Sequence, residues 1–201
     1  IKYMYRLLES IKVFDRKLWN IEYHNARMNK SRRELFHSED EIDLSDLIRI
    51  PRELSNNLFK CRVLYSEKIH DVEFHPYAIR PITKLNAVYD DALIYDYKLE
   101  DRREIQKHFC KADNSEILIV KNGFITDTSY SNVVFSDFTN LFTPATPLLK
   151  GTKRAKLLEI GKIREEEIRL TDLQKFKYVY LINALLDLED NVRIPIENIV
   201  L

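Results

Sequence analysis

Apolar and polar residues alternate along residues 7–13 (LLESIKV) and resume over 17–19, which predicts two strands around a turn at Phe14, Asp15 and Arg16. Asn20 then reads as the cap of a helix over 21–36. Tyr23, Ala26, Met28, Leu35 and Phe36 give that helix an apolar face, and Arg27, Lys30, Arg32 and Arg33 a basic one. A second short helix over 43–50 is ended by Pro51. Residues 60–65 and 72–74 read as a hairpin, and a longer strand covers 78–89 after the His75-Pro76 break. A polar helix over 100–111 follows a segment rich in Asp and Tyr.

In the second half the β-branched run 116–120 meets Asn122-Gly123, the pair best suited to the two positive φ angles of a tight hairpin turn. The strand resumes over 124–126. A further strand at 132–135 leads into a proline-containing loop, Gly151 opens a helix to 160, and 167–170 reads as a strand. Thr171 caps a short helix, and 178–185 is a strongly apolar strand. Helices and strands are mixed rather than strictly alternating, so the fold class is α+β. The boundary falls at His75-Pro76, giving a small N-terminal α+β domain, 1–75, and a larger C-terminal domain, 76–201.

Composition narrows the function. The chain has 201 residues, 45% of them hydrophobic, which is enough to build a core. Lys+Arg and Asp+Glu are equal at 32 each. Zero net charge argues against nucleic acid or an anionic membrane surface as the main partner. No apolar run approaches the ~20 residues of a membrane span, and no cationic-then-apolar leader is seen. Cys61 and Cys110 are isolated, so a reduced, cytoplasmic protein is expected. There is no GxGxxG, no GxxxxGK[ST] and no HExxH, and the histidines are scattered, so no metal is expected.

Four places carry candidate chemistry. Asp127 lies just past the hairpin in an apolar and hydroxyl-rich run, where a carboxylate either caps a turn or answers a positive charge. Gly151, Thr152, Lys153 and Arg154 lie at a helix start, which either favours a phosphate or is an ordinary N-terminus. Arg27 is suited to two-point phosphate contact, or belongs to a solvated helix face. Lys98, between Tyr97 and Leu99, is a candidate imine-forming amine, though pattern does not single it out among the lysines.

Six segments in order, LLESIKV, YHNARMNKSR, YKLEDR, ILIVKNGFITDTSYSNVVF, TPLLKGTKR and YLINALLD, resemble the fold-type IV pyridoxal-phosphate enzymes. That group holds branched-chain aminotransferase, D-amino acid aminotransferase and aminodeoxychorismate lyase. The resemblance implies pyridoxal 5'-phosphate in the cleft between two domains, a homodimer, and a small-molecule amine or amino-acid substrate. It implies that Lys98 holds the cofactor and shuttles the proton, and that Arg27, in a His24, Arg27, Ser31 pattern, clamps the phosphate. Gly151, Thr152 and Lys153 would meet the same phosphate through backbone, and Asn183 and Ala184 would line its far side. By the same resemblance Arg102 falls close to where many members place a residue near the cofactor's phenolic oxygen. Asp127 takes the place of the family's glutamate beside the pyridine nitrogen, one methylene shorter.

Asn183-Ala184-Leu185 replaces the Gly-Thr-Ala turn usual in the aminotransferases and looks more like the lyase. The implied function is therefore an aminodeoxychorismate lyase-like elimination of pyruvate to give 4-aminobenzoate. The alternatives are transamination of branched-chain or D-amino acids, and a non-catalytic family member.

Overall fold

The computed structural model describes residues 5–112 and 115–201, so the first four residues of the expected N-terminal domain lie outside the described residues. The chain folds as two compact units. One is formed by the chain up to Ile79 together with Tyr97–Asp101, the other by Arg80–Asp96 and Arg102–Leu201. The first unit thus reaches past His75-Pro76 and includes Lys98, which the sequence reading assigned to the C-terminal part.

The first unit is a four-stranded antiparallel sheet with one long helix. Its strands are β1 (Leu7–Phe14), β2 (Lys17–Leu18), β3 (Phe59–Tyr65) and β4 (Ile69–Pro76), in the order β2-β1-β3-β4. Period-two alternation on β1 turns Leu7, Glu9, Ile11 and Val13 inward. Leu7, Ile11 and Val13 pack with Met28, Leu44, Cys61, Val63 and Tyr65, and each fully buried aliphatic side chain contributes about 1.5–3 kcal/mol. Helix α1 (Ile21–Phe36) has the expected bounds, but Asn20 caps it differently. Its backbone is left-handed, a conformation Asn tolerates, and its side chain makes no cap hydrogen bond.

The basic face expected on α1 is only partly solvated, because Arg32 is buried. Its guanidinium donates to Glu67 O, Asn29 Oδ1, Asp40 O and both Asp40 carboxylate oxygens, which satisfies it without bulk water. Helix α2 (Leu44–Leu47) is shorter than expected. Asp43 caps it by accepting from Ser45 N, and Ile48 is already extended before Pro51.

The second unit is built on a mixed nine-stranded sheet. Strand β5 (Leu85–Tyr89) runs parallel to β6 (Ile117–Lys121), and helix α3 (Arg103–Lys111) lies between them in sequence. The strand expected over 78–89 begins only at Leu85; Pro81, which lacks an N–H donor, lies in the segment before it. Asn122 and Gly123 have φ of 51° and 79°, as the hairpin requires, joining β6 to β7 (Phe124–Thr128). Asp127 is the penultimate residue of β7, past the hairpin turn and at the strand end as expected.

Next come β8 (Asn132–Ser136), β9 (Leu141–Pro144), helix α4 (Thr152–Glu159), β10 (Arg164–Glu166), β11 (Tyr178–Ile182), β12 (Arg193–Pro195) and β13 (Ile199–Val200). The strand expected over 167–170 is displaced to β10, which pairs with β9, while Arg169 makes only a single bridge to Phe124. Thr171 sits inside a 3-10 helix, Leu170–Lys175, that Asp172 caps by accepting from Arg169 N. Strand β11 stops at Ile182 because Asn183 turns the chain, accepting from Leu185 N and pairing its backbone with Leu186. Leu118, Val120, Ile125, Val133, Phe135, Val179 and Leu181 form the main core of this unit.

Candidate functional site

The predicted site residues fall into two groups, one in each unit. In the first unit, residues 97–101 lie alongside the start of β1: Leu8 N donates to Lys98 O at 3.0 Å, Glu100 N donates to Arg6 O at 2.8 Å, and Leu99 bridges Leu7. Arg62 fixes this piece from β3 by donating to Glu100 Oε1 at 2.7 Å. Lys98 is thereby held half-buried, close enough for its charge to act on His24.

At the centre of this group is Glu9, which the sequence reading did not single out. It is fully buried and accepts from three donors: Arg27 Nε to Oε1 at 2.9 Å, Arg27 Nη2 to Oε2 at 2.5 Å, and His24 Nδ1 to Oε2 at 2.6 Å. Burial alone would push its carboxyl up, but the Arg27 charge and the His24 ring outweigh that and hold it at about 2. An ionised Glu9 only accepts, so His24 carries its proton on Nδ1. Burial also lowers the His24 pKa; Glu9 pulls it back up, and the Arg27 and Lys98 charges push it down. His24 is accordingly a neutral donor. The expected trio of His24, Arg27 and Ser31 is brought onto one helix, with Ser31 Oγ bonded to Arg27 O at 3.0 Å.

The second unit holds Asp127 and the start of α4. Asp127 is buried; Oδ1 accepts from Asn132 Nδ2 at 2.8 Å and Oδ2 from Leu149 N at 2.9 Å. Burial pushes its carboxyl up to about 6, against the pull of those donors and of the Arg154 charge. Among the described residues no cationic side chain bonds to it. Arg154 is committed elsewhere, to Pro144 O at 2.8 Å and Glu165 Oε1 at 2.6 Å.

Gly151 precedes α4 and supplies no side-chain cap. Thr152 and Lys153 are buried in the first turn, and the Lys153 ammonium pairs with Asp187. Asn183 Nδ2 donates to Ser131 Oγ at 2.9 Å, tying the turn that carries Ala184 to the loop after Asp127. Arg102 ends the segment before α3 and donates through Nη2 to Ser129 O. Glu116 braces the same loop by accepting from Ser129 N at 2.8 Å and Ser129 Oγ at 3.1 Å.

This set fits a cofactor with a cationic ring nitrogen and a phosphate. A buried carboxylate without a cation suits the first, and a helix start lacking a side-chain cap suits the second. Among the described residues no three His, Cys, Asp or Glu side chains gather as metal ligands, and no helix is long and apolar enough to cross a membrane.

Comparison with known proteins agrees with this chemistry. The amino-transferase class IV model matches residues 95–189. A crystal structure from Haemophilus somnus 129pt, described as a candidate 4-amino-4-deoxychorismate lyase, shares 31% identity over 91% of this chain and 97% of that one, with a TM-score of 0.82. An uncharacterised protein of Haemophilus influenzae is 35% identical over 185 residues, 90% of this chain and 98% of that protein. The pyridoxal-phosphate-bound form of a hypothetical aminotransferase from Mycobacterium tuberculosis shares the fold at 18% identity and a TM-score of 0.72, over 91% of this chain and 78% of that one. The chain belongs to the class IV aminotransferase family, the fold-type IV pyridoxal-phosphate enzymes.

Proposed function

We propose that this protein is a pyridoxal-phosphate enzyme with 4-amino-4-deoxychorismate lyase-like activity, releasing pyruvate and forming 4-aminobenzoate. The observation that carries the cofactor is Asp127: among the described residues no cationic side chain bonds to this buried carboxylate, and its hydrogen bonds and the Arg154 charge leave it raised to about 6, so a cationic group from outside the chain would be what keeps it ionised. The choice of reaction is supported by likeness to the Haemophilus somnus protein and by the Asn183-Ala184 turn.

When bound, the cofactor supplies an electron sink for the pair left by a broken bond at the substrate carbon that carries the amine. Asp127 would keep the pyridine nitrogen protonated; the Arg27 guanidinium, and the backbone amides of Thr152 and Lys153, would each offer the phosphate a contact. Glu9 holds Arg27 in orientation. Lys98 would hold the cofactor and take the proton from the amine-bearing carbon; the C–O bond to the three-carbon group would break as the ring becomes aromatic, and the enolpyruvate released would take up a proton to become pyruvate. Gly151, Asn183, Ala184 and Arg102 complete the cofactor's surroundings.

Transamination is the second reading, favoured by the family the chain matches. In it Lys98 would carry the same proton back rather than assist elimination. A homodimer in the cytoplasm completes the proposal, supported by family likeness and by two cysteines without a partner thiol. The test is pyruvate release from aminodeoxychorismate set against half-reactions with a panel of L- and D-amino acids. Pyruvate formation supports the lyase; turnover confined to the amino acids replaces it with transamination.

A further inference from the structure

Gly151 stands in ordinary extended backbone, φ −68° and ψ 147°, which any L-residue adopts. Conformational freedom is therefore not why a glycine is here. Space is the reason: a methyl group on its Cα would overlap Asn132 Oδ1 and stand 3.2 Å from Asn132 Cγ.

Asn132 cannot swing aside without loss. Its Nδ2 donates to Asp127 Oδ1 at 2.8 Å and to Leu149 O at 2.9 Å, while Leu149 N donates to Asp127 Oδ2 at 2.9 Å. The three groups form a closed ring, and two residues beyond Leu149 the chain passes beneath the Asn132 amide and enters α4. Every member is buried or part-buried, so each lost partner leaves an unsatisfied polar atom.

We propose that Asn132 is a positioning residue that locks the Asp127 carboxylate to the start of α4, and that Gly151 is glycine in order to admit it. The inference deepens the proposed function, because it makes one side chain set both the anion for the ring nitrogen and the backbone that meets the phosphate.

The test is a double-mutant cycle on the purified full chain without added cofactor, read as thermal midpoint. Gly151→Ala lowers the midpoint by roughly 5 °C or more. At a backbone site that accepts alanine the same change is ordinarily neutral or stabilising, so in an Asn132→Ala background it costs nothing further. An equal drop in both backgrounds overturns the proposal. If Gly151→Ala does not fold, rescue by Asn132→Ala supports it and failure of rescue overturns it.

The second readout is the Asp127 carboxyl titration by ¹³C NMR. Asn132→Ala moves it upward, and an unmoved titration overturns the positioning role. Neither readout needs the cofactor: a protein that binds none would defeat the proposed function and leave the cycle standing.

Discussion

Arg27 meets Glu9 at two points, 2.9 Å and 2.5 Å, on a carboxylate with no solvent exposure. The pair is a scaffold as much as a binding device. Glu9→Gln leaves the Arg27 charge without its anion, and breaking a buried pair from one side costs about 3–5 kcal/mol. Urea denaturation checks this; a change under about 0.5 kcal/mol would show the pair to be incidental.

Asp127 sets the opposite sign of pH dependence from Glu9. The Glu9 carboxyl is held at about 2, below its ordinary 4.5, so its contribution is present above pH 4.5 and lost as pH falls toward 2. Asp127 is raised from 3.8 to about 6, so its contribution is present below pH 3.8 and lost as pH rises through 6. Cofactor-free wild type therefore loses up to about 3 kcal/mol relative to Asp127→Asn between pH 4 and pH 6, and no more above it. Denaturation curves of the two proteins across that range decide the sign.

Turnover should respond to the same variant. Asp127→Asn keeps cofactor binding but lowers kcat about 100-fold or more, since a neutral amide does not hold a ring nitrogen protonated. Both Asp127 oxygens accept hydrogen bonds, so the new amide nitrogen faces a donor and stability falls as well, by about 1–3 kcal/mol. Unchanged kcat would remove Asp127 from the cofactor.

Lys153 separates backbone from side chain. Its ammonium is paired with Asp187, while its proposed phosphate contact is made by the amide. Lys153→Met should lower the thermal midpoint and leave cofactor affinity within a few-fold. A large loss of affinity, measured by fluorescence titration, would assign the phosphate contact to the side chain instead.

Local chemistry made much of this legible. Helix α1 has the bounds that Asn20 and the apolar pattern predict, and Asn122-Gly123 turns the hairpin that presents Asp127. Glu9 was hidden because its partners lie 15 and 18 residues away, beyond any local pattern. One signal was present: alternation on β1 puts Glu9 on the inward face between Leu7 and Ile11, where a charge demands a partner. Pairing across the sheet decided the rest, moving the strand expected at 167–170 to Arg164–Glu166, and Asn183 closed β11 early.

The most direct test of the account is the visible spectrum of the purified protein after incubation with pyridoxal 5'-phosphate and reduction with borohydride, followed by peptide mapping. A visible chromophore that borohydride bleaches is expected, with the cofactor fixed covalently on Lys98. A protein that stays colourless, or a label carried by another lysine, would contradict it.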